Sequence, residues 1–387
     1  MRVLHTIGKF LPITENWIYP QVARVPGVES AMLCDDVVNL QEFSLDPSRL
    51  FVRRSFAADH IVGRSIPARA ARRILNGAAR FTALRRARAW KPAVLHAHFG
   101  MHGWASLRLK ELLGVPLITS FYGYDAWSVP KSNPEWGERF RQLFDQGDIF
   151  LVEGRAFRQR LVELGCAREK IRIHRLGTDI SGLDCRQREF TGRLRIAMVG
   201  RFVEKKGLVD GLSACASAAA SGVDLNVTII GDDSKDDIRG QHIKQQLLSI
   251  AELPAMAGRV FFKGFLPTRK AMQALAEQDI LLCPSRHAAN GDAEGGLPVV
   301  LIEAMAMGLL SVGSRHCDIP EAIIHEKTGY LFEEGNVGEL SSILRDLSRA
   351  PEGLKAMAQA GRKHVEDRYA LKEQTVRLRE IYRSVGV

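Results

Sequence analysis

Residues 194–207 read LRIAMVGRFVEKKG, and their pattern is the clearest indication of the fold in the second half of the chain. Its first six residues are mostly apolar and predict a buried β-strand, while residues 208–219 predict a helix. The loop between them begins at Gly200 and ends at Gly207. A glycine-bounded loop that opens a helix presents free backbone N–H groups and the positive end of the helix dipole, and both attract anions.

Two basic residues lie in this loop, Arg201 and Lys206. Arginine binds phosphate oxygens in a bidentate manner, and a second cation close by favours a diphosphate ligand. A basic surface loop without a ligand is the alternative. The loop matches neither the GxGxxG pattern of dinucleotide-binding folds nor the Walker pattern, so the usual nicotinamide and ATP fingerprints are absent.

A second candidate site is an acidic loop followed by an apolar helix. The loop contains Glu294, Gly295 and Gly296, and the two glycines allow a ligand to approach backbone N–H groups closely. Glu303 lies in the apolar run LPVVLIEAMAMG, residues 297–308, which predicts a mostly buried helix. A buried carboxylate needs hydrogen-bond donors, and either sugar hydroxyls or groups of the protein itself meet that need.

Short apolar segments alternate with helical segments along the whole chain, which is typical of a parallel α/β sheet. A polar stretch interrupts the alternation and predicts a linker. We therefore predict two doubly wound domains that face a central cleft, where the carboxyl ends of their strands bind ligands. The predicted bounds are 1–180 for the first domain, 181–192 for the linker, 193–365 for the second domain, and 366–387 for a C-terminal helix that packs back on the first domain. The predicted strands are 3–7, 30–34, 50–53, 94–96, 116–120, 149–152, 171–174, 194–199, 226–230, 260–263, 280–283 and 310–312.

Length and composition exclude several classes of protein. The chain has 387 residues, 46% of them hydrophobic and 25% charged, so we expect a folded protein of about two domains. No apolar run is long enough to span a bilayer, and the N-terminal apolar stretch is too short for a secretory signal. The six cysteines contain no CxxC pair, which argues against a disulfide scaffold and a structural zinc site and favours a reducing compartment.

The net charge of +10 lies entirely in residues 1–190. Nine basic residues and no acidic one lie between Arg64 and Lys91, where apolar residues recur at helical spacing. A basic amphipathic helix of this kind binds anionic lipid or nucleic acid, and a solvated helix packed on its own domain is the alternative. Nucleic acid is the least favoured of these because the stretch has few aromatic residues and no known binding module.

Several motifs together resemble the retaining GT-B glycosyltransferases of family GT4. In the second half they are GRFVEKKG at 200–207, EGGLPVVLIEAMAMG at 294–308 and DIPEAIIHEKTGYLF at 318–332. In the first half they are LPITENWIYPQ at 11–21, HAHFG at 96–100, TSFYGYD at 119–125 and LGCAREKIRIHRLGTD at 164–179. The resemblance covers essentially the whole chain and points to the bacterial exopolysaccharide and lipopolysaccharide branch, of the colanic-acid type. It implies the GT-B fold of two Rossmann-like domains.

The resemblance implies a nucleotide-sugar donor site in the second half. In the family, the loop arginine and the lysine before the glycine hold the donor diphosphate, which implies this role for Arg201 and Lys206. The family's second motif glutamate binds the ribose and falls on Glu303, and its first binds the donor sugar and falls on Glu294. The usual separation is seven residues, but eight lie between these two glutamates, so Asp292 or a backbone group is the alternative sugar ligand. The implied donor-binding residues are Gly200, Arg201, Lys206, Glu294, Gly295, Gly296, Leu297 and Glu303.

The first half departs from the family at one position. Many relatives have a histidine in a TFHG-like segment facing the reacting sugar, and this position is Tyr122, whose phenol is a poor base at neutral pH. His98 and Asp125 are the nearby candidates for base work or acceptor binding, and a backbone-bonded structural histidine is the alternative for His98. In a retaining mechanism the donor phosphate itself can take the acceptor proton. The other candidate acceptor-binding residues are Thr14, Glu15, Asn16, Tyr122 and Tyr124, with a helix cap as the alternative for Thr14.

The resemblance implies a retaining hexosyltransferase of surface polysaccharide biosynthesis. Its expected partners are a nucleotide-sugar, a saccharide or polyprenyl-linked saccharide acceptor, and an anionic membrane surface bound through Arg64 to Lys91; no metal, cofactor or nucleic acid is expected. We expect a cytoplasmic enzyme on the inner face of the membrane. UDP, GDP and ADP remain open for the donor, with UDP or GDP preferred. The alternatives are another GT-B enzyme, such as a 2-epimerase or a phosphorylase, and a basic membrane- or nucleic-acid-binding module.

Overall fold

The computed structural model of the chain describes residues 1–12, 15, 17–59, 66–183, 185–186, 188–190, 192–233 and 237–386. The chain folds into two compact units. The first comprises Met1–Val152, Arg158–Gly177 and Leu371–Val387, and the second comprises Glu153–Phe157 and Thr178–Ala370. Each unit has its own parallel β-sheet and its own apolar core.

Most strands are short and buried, as expected for sheets covered on both faces. The strands of the first unit are β1 (Arg2–Thr6), β2 (Lys9–Phe10), β3 (Glu29–Cys34), β4 (Asp36–Val37), β5 (Leu50–Val52), β6 (Val94–His98), β7 (Leu117–Ser120), β8 (Ile149–Val152) and β9 (Ile171–Ile173). Those of the second unit are β10 (Leu194–Val199), β11 (Leu225–Ile230), β12 (Val260–Phe262), β13 (Ile280–Cys283), β14 (Leu310–Ser314) and β15 (Tyr330–Phe332).

Helices connect nearly all of these strands. In the first half they are α1 (Ile18–Ala23), α2 (Phe56–Asp59), α3 (Ile66–Ala89), α4 (Gly100–Ala105), α5 (Leu107–Leu113), α6 (Tyr124–Ser132), α7 (Glu135–Gln146) and α8 (Arg155–Glu163). In the second half they are α9 (Leu208–Ala220), α10 (Ile238–Ala251), α11 (Thr268–Ala276), α12 (Val299–Ala306), α13 (Ile319–Ala322), α14 (Val337–Arg349), α15 (Leu354–Tyr369) and α16 (Leu371–Val385). In the described part of the chain, none of them is both long and apolar enough to cross a membrane.

The sheet of the first unit has the strand order β5-β3-β1-β6-β7-β8-β9, and all of its strands are parallel. Val3 on β1 and Val94 on β6 pack against Leu378 and Tyr382 of α16, so the last helix covers one face of this sheet. The helix predicted at 366–387 is thus two helices, and α15 ends in the second unit before α16 begins in the first.

The sheet of the second unit has the order β12-β11-β10-β13-β14-β15 and is also parallel. Its apolar core lies on both faces, where α9 and α14 pack on one side and α12 and α15 on the other. The strand β15, with the sequence YLF, was not among the predicted strands.

The stretch 181–192, which the sequence predicts as a linker, is part of the range Thr178–Ala370 of the second unit. Its residue Arg188 is buried in the second unit. The guanidinium donates from Nε to the carbonyl of Gln278 at 2.6 Å and from Nη1 to that of Met307 at 2.6 Å. In the sequence, Arg188 adds to the polar character of this stretch. In the structure, it is an internal donor to main-chain carbonyls.

Candidate functional site

The strand order of the second unit reverses between β10 and β13. The chain runs outward from β10 to β11 and β12, then returns to β13 and runs outward on the other side. In parallel sheets, ligands bind beyond the carboxyl ends of the strands at such a reversal. The loops that begin there, 200–207 after β10 and 284–298 after β13, contain nearly all of the predicted donor-binding residues.

An ion pair between Lys206 and Glu294 joins these two loops. Nζ of Lys206 lies 2.7 Å from Oε1 of Glu294, and the hydroxyl of Ser285 donates to the same oxygen at 2.8 Å. Burial alone would raise the pKa of Glu294, but the ammonium groups of Lys206 and Lys205 outweigh it and hold the pKa below its ordinary value. The site therefore contains a fixed carboxylate beside a fixed cation.

Lys205, which the sequence reasoning missed, fixes the acidic loop. Its ammonium group is nearly buried, donates to the carbonyl of Ala293 at 3.0 Å and pairs with Oδ2 of Asp292 at 3.1 Å. Its own carbonyl accepts from the N–H of Arg286 at 2.9 Å. Asp292, the alternative sugar ligand, is thus committed to an internal ion pair.

His316 holds the main chain of Glu294. Nε2 of His316 accepts from the N–H of Glu294 at 3.1 Å, and Nδ1 donates to Oε1 of Glu334 at 2.7 Å. Burial would raise the pKa of Glu334, but hydrogen bonds from His316 and His287 lower it to about 2. Because Nε2 accepts, this ring is uncharged and has one tautomer. Neither His316 nor Glu334 was predicted, although the motif HCDIPE contains the histidine.

Glu303 lies on α12, as predicted, and its carboxylate is largely buried among apolar residues. Burial raises its pKa to about 7. No group in the described ranges donates a hydrogen bond to this carboxylate, although its backbone carbonyl accepts from Met307. The side chain therefore has the hydrogen-bonding capacity for hydroxyl donors of a ligand.

Two glycines bring the loops of the site close to their neighbours. Gly207 has φ +60°, and a Cβ built there would lie 1.8 Å from the carbonyl oxygen of Pro284. A Cβ at Gly296 would lie 2.4 Å from the carboxylate of Glu153. Side chains at either position would push these segments apart, so both glycines are required by close approach.

Glu153 and Asp318 form a pair of carboxylates beside the glycine loop. Burial, and then the charge of Asp318, raise the pKa of Glu153 to about 8, so Glu153 is largely protonated at neutral pH. One oxygen of Glu153 accepts from the N–H of Leu297 at 3.4 Å. Asp318 accepts from the N–H of Ala156 at 2.9 Å. No motif in the sequence placed Glu153 in this site.

Arg201 is exposed at the start of the first loop. Among the described residues, no hydrogen bond or ion pair holds its guanidinium. The guanidinium offers five N–H donors, and Arg201 lies in the short loop that begins at Gly200, directly after β10. Arg201 is therefore the available cation of the pair, whereas Lys206 is already bound to Glu294.

The sheet of the first unit reverses its strand order between β1 and β6. His98 ends β6 and is fully buried, with Nε2 3.0 Å from Nδ1 of His5 and Nδ1 2.7 Å from the hydroxyl of Tyr122. Burial lowers the pKa of His98 well below its ordinary value. Both ring nitrogens are engaged within the protein, so the arrangement does not favour the base role predicted for His98.

Asp125 is buried and holds the turn before α6. Its carboxylate accepts from the N–H groups of Gly100 at 2.9 Å and of Tyr122 and Gly123 at 3.0 Å each. Burial raises its pKa to about 6 despite these donors. The carboxylate is occupied by main-chain donors, which favours a role in shaping the loop over the predicted role as a base.

The remaining candidate acceptor residues have different surroundings. Tyr124 is 52% exposed at the start of α6. Glu15 is partly buried, and burial raises its pKa. Thr14 and Asn16 lie outside the described residues. The acceptor role of these positions stays a prediction.

Two groups of side chains have the spacing of metal ligands among the described residues. One comprises His5, His96 and His98, and the other comprises His287, His316 and Cys317. In the second group Nε2 of His316 already accepts from Glu294, and burial raises the pKa of the Cys317 thiol, so the site favours a protonated thiol over a metal-binding thiolate. In the first group, Nδ1 of His5 and Nε2 of His98 are hydrogen-bonded to each other, and both ring nitrogens of His96 are hydrogen-bonded to hydroxyls, those of Tyr382 and Ser120.

Two family models match this chain. The model described as Glycosyl transferases group 1 matches residues 185–364, and that described as Glycosyltransferase Family 4 matches residues 41–181. The two matches together account for most of both units.

Curated relatives agree with these models. The chain is 34% identical over 275 residues to the amylovoran biosynthesis glycosyltransferase AmsK of Erwinia amylovora, which covers 70% of this chain and 65% of that one. It is 34% identical over 261 residues to the putative colanic acid biosynthesis glycosyltransferase WcaL of Escherichia coli K12, which covers 66% and 61%. The matched regions thus span less than two thirds of the relatives' length.

Among solved structures, the chain is similar to Anabaena HepE in complex with UDP. The TM-score is 0.75 at 14% sequence identity, with 99% of this chain and 100% of that chain covered. At this identity the likeness concerns the fold, and it extends through both units.

Proposed function

Because the chain belongs to the group 1 glycosyl transferases of family 4, we propose that it transfers a sugar from a nucleotide-diphosphate donor to a saccharide acceptor. The observation that carries this proposal is the Lys206–Glu294 pair at the strand-order reversal of the second unit. Arg201 lies in the same loop as Lys206, and Glu303 lies on α12, the helix that follows the loop of Glu294. A cation for phosphate and carboxylates for hydroxyls are the groups that a nucleotide-sugar requires.

The donor diphosphate would bind at the loop before α9. Arg201 supplies a guanidinium without a partner in the described residues, and Lys206 supplies an ammonium group at a fixed position. The first N–H groups of α9 add a positive dipole end. Together these groups stabilise the charge that develops on the departing diphosphate, so no metal is required for that task.

The two carboxylates would bind the rest of the donor. Glu303 has an ionisable carboxylate without a protein donor in the described ranges, which fits two adjacent ribose hydroxyls. Glu294 is ionised and rigid, because its second oxygen also accepts from Nζ of Lys206, at 3.0 Å. The remaining lone pairs of this carboxylate fit hydroxyls of the sugar. The base remains open between UDP, GDP and ADP.

We infer transfer with retention of configuration. In this step the bond between the anomeric carbon and the diphosphate oxygen breaks, and a bond from the acceptor oxygen to the same face of that carbon forms. The acceptor proton passes to an oxygen of the departing diphosphate. This route needs no protein base, which agrees with the engagement of His98 and Asp125 inside the first unit.

Membrane docking through α3 is the second part of the proposal, and it fits an acceptor that is lipid-linked. Ile66, Ile74 and Phe81 are 78%, 71% and 69% exposed and lie within about 80° of one another around the helix. The buried residues Ala83 and Ala87 lie about 120° around the helix from the middle of this stripe. The high exposure of the three side chains shows that the stripe does not pack on its own unit. Exposed arginines flank the stripe at 73, 80, 85 and 88. An apolar stripe bordered by arginines fits an anionic bilayer surface, and we assign this surface to the cytoplasmic side of the membrane.

The relatives named for amylovoran and colanic acid biosynthesis support a role of the proposed reaction in exopolysaccharide biosynthesis. A 2-epimerase would use the same donor loop but would not need an acceptor, whereas a phosphorylase would need free phosphate or a lysine-bound cofactor. Product analysis with the nucleotide-sugar alone therefore separates these alternatives: an epimerase releases free nucleotide and an altered sugar without an added saccharide.

Nucleotide binding tests the proposal directly. We expect UDP, GDP or ADP to raise the melting temperature of the protein, since a ligand at 100 times its dissociation constant adds about 2.7 kcal/mol of stability. Arg201→Ala should abolish the shift, whereas Arg269→Ala, an exposed arginine on α11, should keep it. A shift with duplex DNA and none with any nucleoside diphosphate would overturn the transferase proposal.

A further inference from the structure

Three polar side chains of the first unit, Trp17, Gln21 and His174, line one small cavity with a volume of about 10 Å³. Each has a buried polar atom without a hydrogen-bond partner in the described ranges: Nε1 of Trp17, Oε1 of Gln21 and Nδ1 of His174. Gln21 and His174 are only 5% and 6% exposed. A buried polar atom without a partner is rare and costly, so three of them around one cavity indicate a bound ligand.

The hydrogen-bonding role of each atom follows from its chemistry. The indole nitrogen of Trp17 only donates. Nε2 of Gln21 lies 3.4 Å from the carbonyl oxygen of Trp17, and because a carbonyl only accepts, the amide nitrogen is on that side. The atom of Gln21 without a partner is therefore the amide oxygen, an acceptor. Burial lowers the pKa of His174 to about 4, so its ring is uncharged at neutral pH, and Nδ1 donates or accepts according to the tautomer.

The ligand must accept from Trp17 and donate to Gln21. A metal cation does not fit, because the N–H of the indole directs a positive hydrogen at it. An anion does not fit, because the amide oxygen of Gln21 directs a lone pair at it. Water meets both requirements, and a volume of about 10 Å³ has room for one water molecule and nothing larger.

We propose that one water molecule is bound in this cavity as a structural ligand of the first unit. It accepts a hydrogen bond from Nε1 of Trp17, donates one to Oε1 of Gln21 and forms a third with Nδ1 of His174. Three polar partners are typical of a buried water. This site does not depend on the proposed function.

The water joins parts of the chain that are far apart in sequence. The first unit consists of three separate segments, and each of them lines the cavity. Trp17 and Gln21 belong to the first segment, His174 to the second, and Leu371 and Thr375 of α16 to the third. The water therefore holds α1, which begins directly after Trp17, to the end of β9 beside the first turns of α16.

Nuclear Overhauser effects between water and the indole N–H groups test this site in the full-length protein. We expect a cross-peak at the N–H of Trp17 with the sign that is typical of a bound water and not of surface water. Trp104 is the matched control, because its indole N–H donates directly to Oε1 of Gln142 at 3.0 Å, and it should show no such cross-peak. Absence of the cross-peak at Trp17 overturns the proposal.

A pair of glutamine variants tests the acceptor. Gln21→Met keeps the length of the side chain but removes the amide oxygen, so the cross-peak of Trp17 should disappear. Gln142→Met removes the amide beside the control tryptophan and should leave the cross-peak of Trp17 unchanged. A cross-peak of Trp17 that survives in Gln21→Met overturns the assignment of Gln21 as a ligand of the water.

A crystal structure of the natural protein decides the question without any variant. We expect density for one water molecule within hydrogen-bond distance of Nε1 of Trp17, Oε1 of Gln21 and Nδ1 of His174. A direct hydrogen bond between Trp17 and Gln21, or density for a larger molecule or an ion, overturns the proposal.

Discussion

The main-chain N–H of Glu294 donates to Nε2 of His316 across 3.1 Å. The carboxylate of the same glutamate is held by Lys206 and Ser285, so both ends of the residue are fixed by groups from three different loops. Such preorganisation places a charged group before the ligand arrives, and the ligand then pays no reorganisation cost.

His316 is therefore expected to control donor binding. His316→Phe removes the acceptor of the Glu294 N–H, and an unsatisfied buried donor costs about 1–3 kcal/mol. We expect nucleotide-sugar affinity, measured by calorimetry, to fall about tenfold or more, and His316→Gln to recover part of it. His242→Phe, at an exposed position on α10, is the matched control. Equal affinity in all three variants would show that the N–H bond has no role in the site.

The buried Lys206–Glu294 pair should be strongly coupled. Lys206→Met leaves an uncompensated buried carboxylate, which costs about 3–5 kcal/mol of unfolding free energy, while the double variant with Glu294→Gln should recover most of it. A double-mutant cycle by urea denaturation measures the coupling. The exposed pair Arg193–Asp224 is the control and should show little or no coupling, because both side chains are solvated. Additive effects in the Lys206–Glu294 cycle would rule out the pair as a structural unit.

Donor affinity should depend on pH through Glu303. Because its pKa is raised to about 7, the folded protein keeps this proton up to neutral pH. The unfolded chain loses the proton at the ordinary carboxyl pKa, so the free energy of unfolding falls as the pH rises from that value to about 7. Ribose hydroxyls donate to the ionised form, so nucleoside diphosphate binding should strengthen by up to about tenfold from pH 6 to 8. Glu303→Gln should bind weakly with no such dependence. Calorimetry at both pH values checks this, and a steep dependence retained in Glu303→Gln would assign it to another group.

Gly207 should tolerate no side chain. Gly207→Ala adds a Cβ that would lie 1.8 Å from the carbonyl oxygen of Pro284, in addition to the strain of a positive φ. Gly222→Ala has the same kind of backbone strain but open space around its Cβ, so it should cost only about 1–2 kcal/mol. We expect thermal denaturation to show a clearly larger loss for Gly207→Ala, together with loss of nucleotide binding. Similar losses for both variants would mean that the loops separate without cost.

The α3 stripe should bind anionic vesicles. Sedimentation with vesicles containing phosphatidylglycerol should bring down the natural protein at low salt and less of it at high salt. Phe81→Glu with Ile74→Glu should reduce binding at least tenfold. Ile238→Glu changes an equally exposed apolar residue of the second unit and should have no effect. Binding that persists in the Phe81/Ile74 variant would exclude α3 as the docking surface.

Much of the fold was predictable because its signals are local. Buried parallel strands such as β10 and β13 are largely apolar runs. The motifs after them predicted the family and the GT-B fold, and the comparisons confirmed both. The glycine loop and the position of Glu303 on a helix could be derived for the same reason. Strand β15 was missed, although strands of the same length, such as β9 and β12, were predicted.

The neighbours of the predicted residues were not predictable. Lys205, Glu153 and Glu334 reach the site from separate loops, and no spacing within the sequence relates them to Glu294. The prediction of a base role for His98 also did not include the hydrogen bond of this histidine to His5, which lies 93 positions earlier. Long-range pairing of this kind is determined by sheet topology, which a single sequence expresses only through the order of its strands.

Arg188 determines where this chain can be divided for separate expression of its second unit. The guanidinium donates to the carbonyl of Ala276 at the end of α11, to that of Gln278 in the turn after α11 and to that of Met307 directly after α12. A fragment that starts after this arginine would lack the donor for those three carbonyls and would have a cavity in place of the guanidinium. A fragment intended for crystallisation or labelling must therefore begin upstream of it, and proteases should cut the intact chain there slowly.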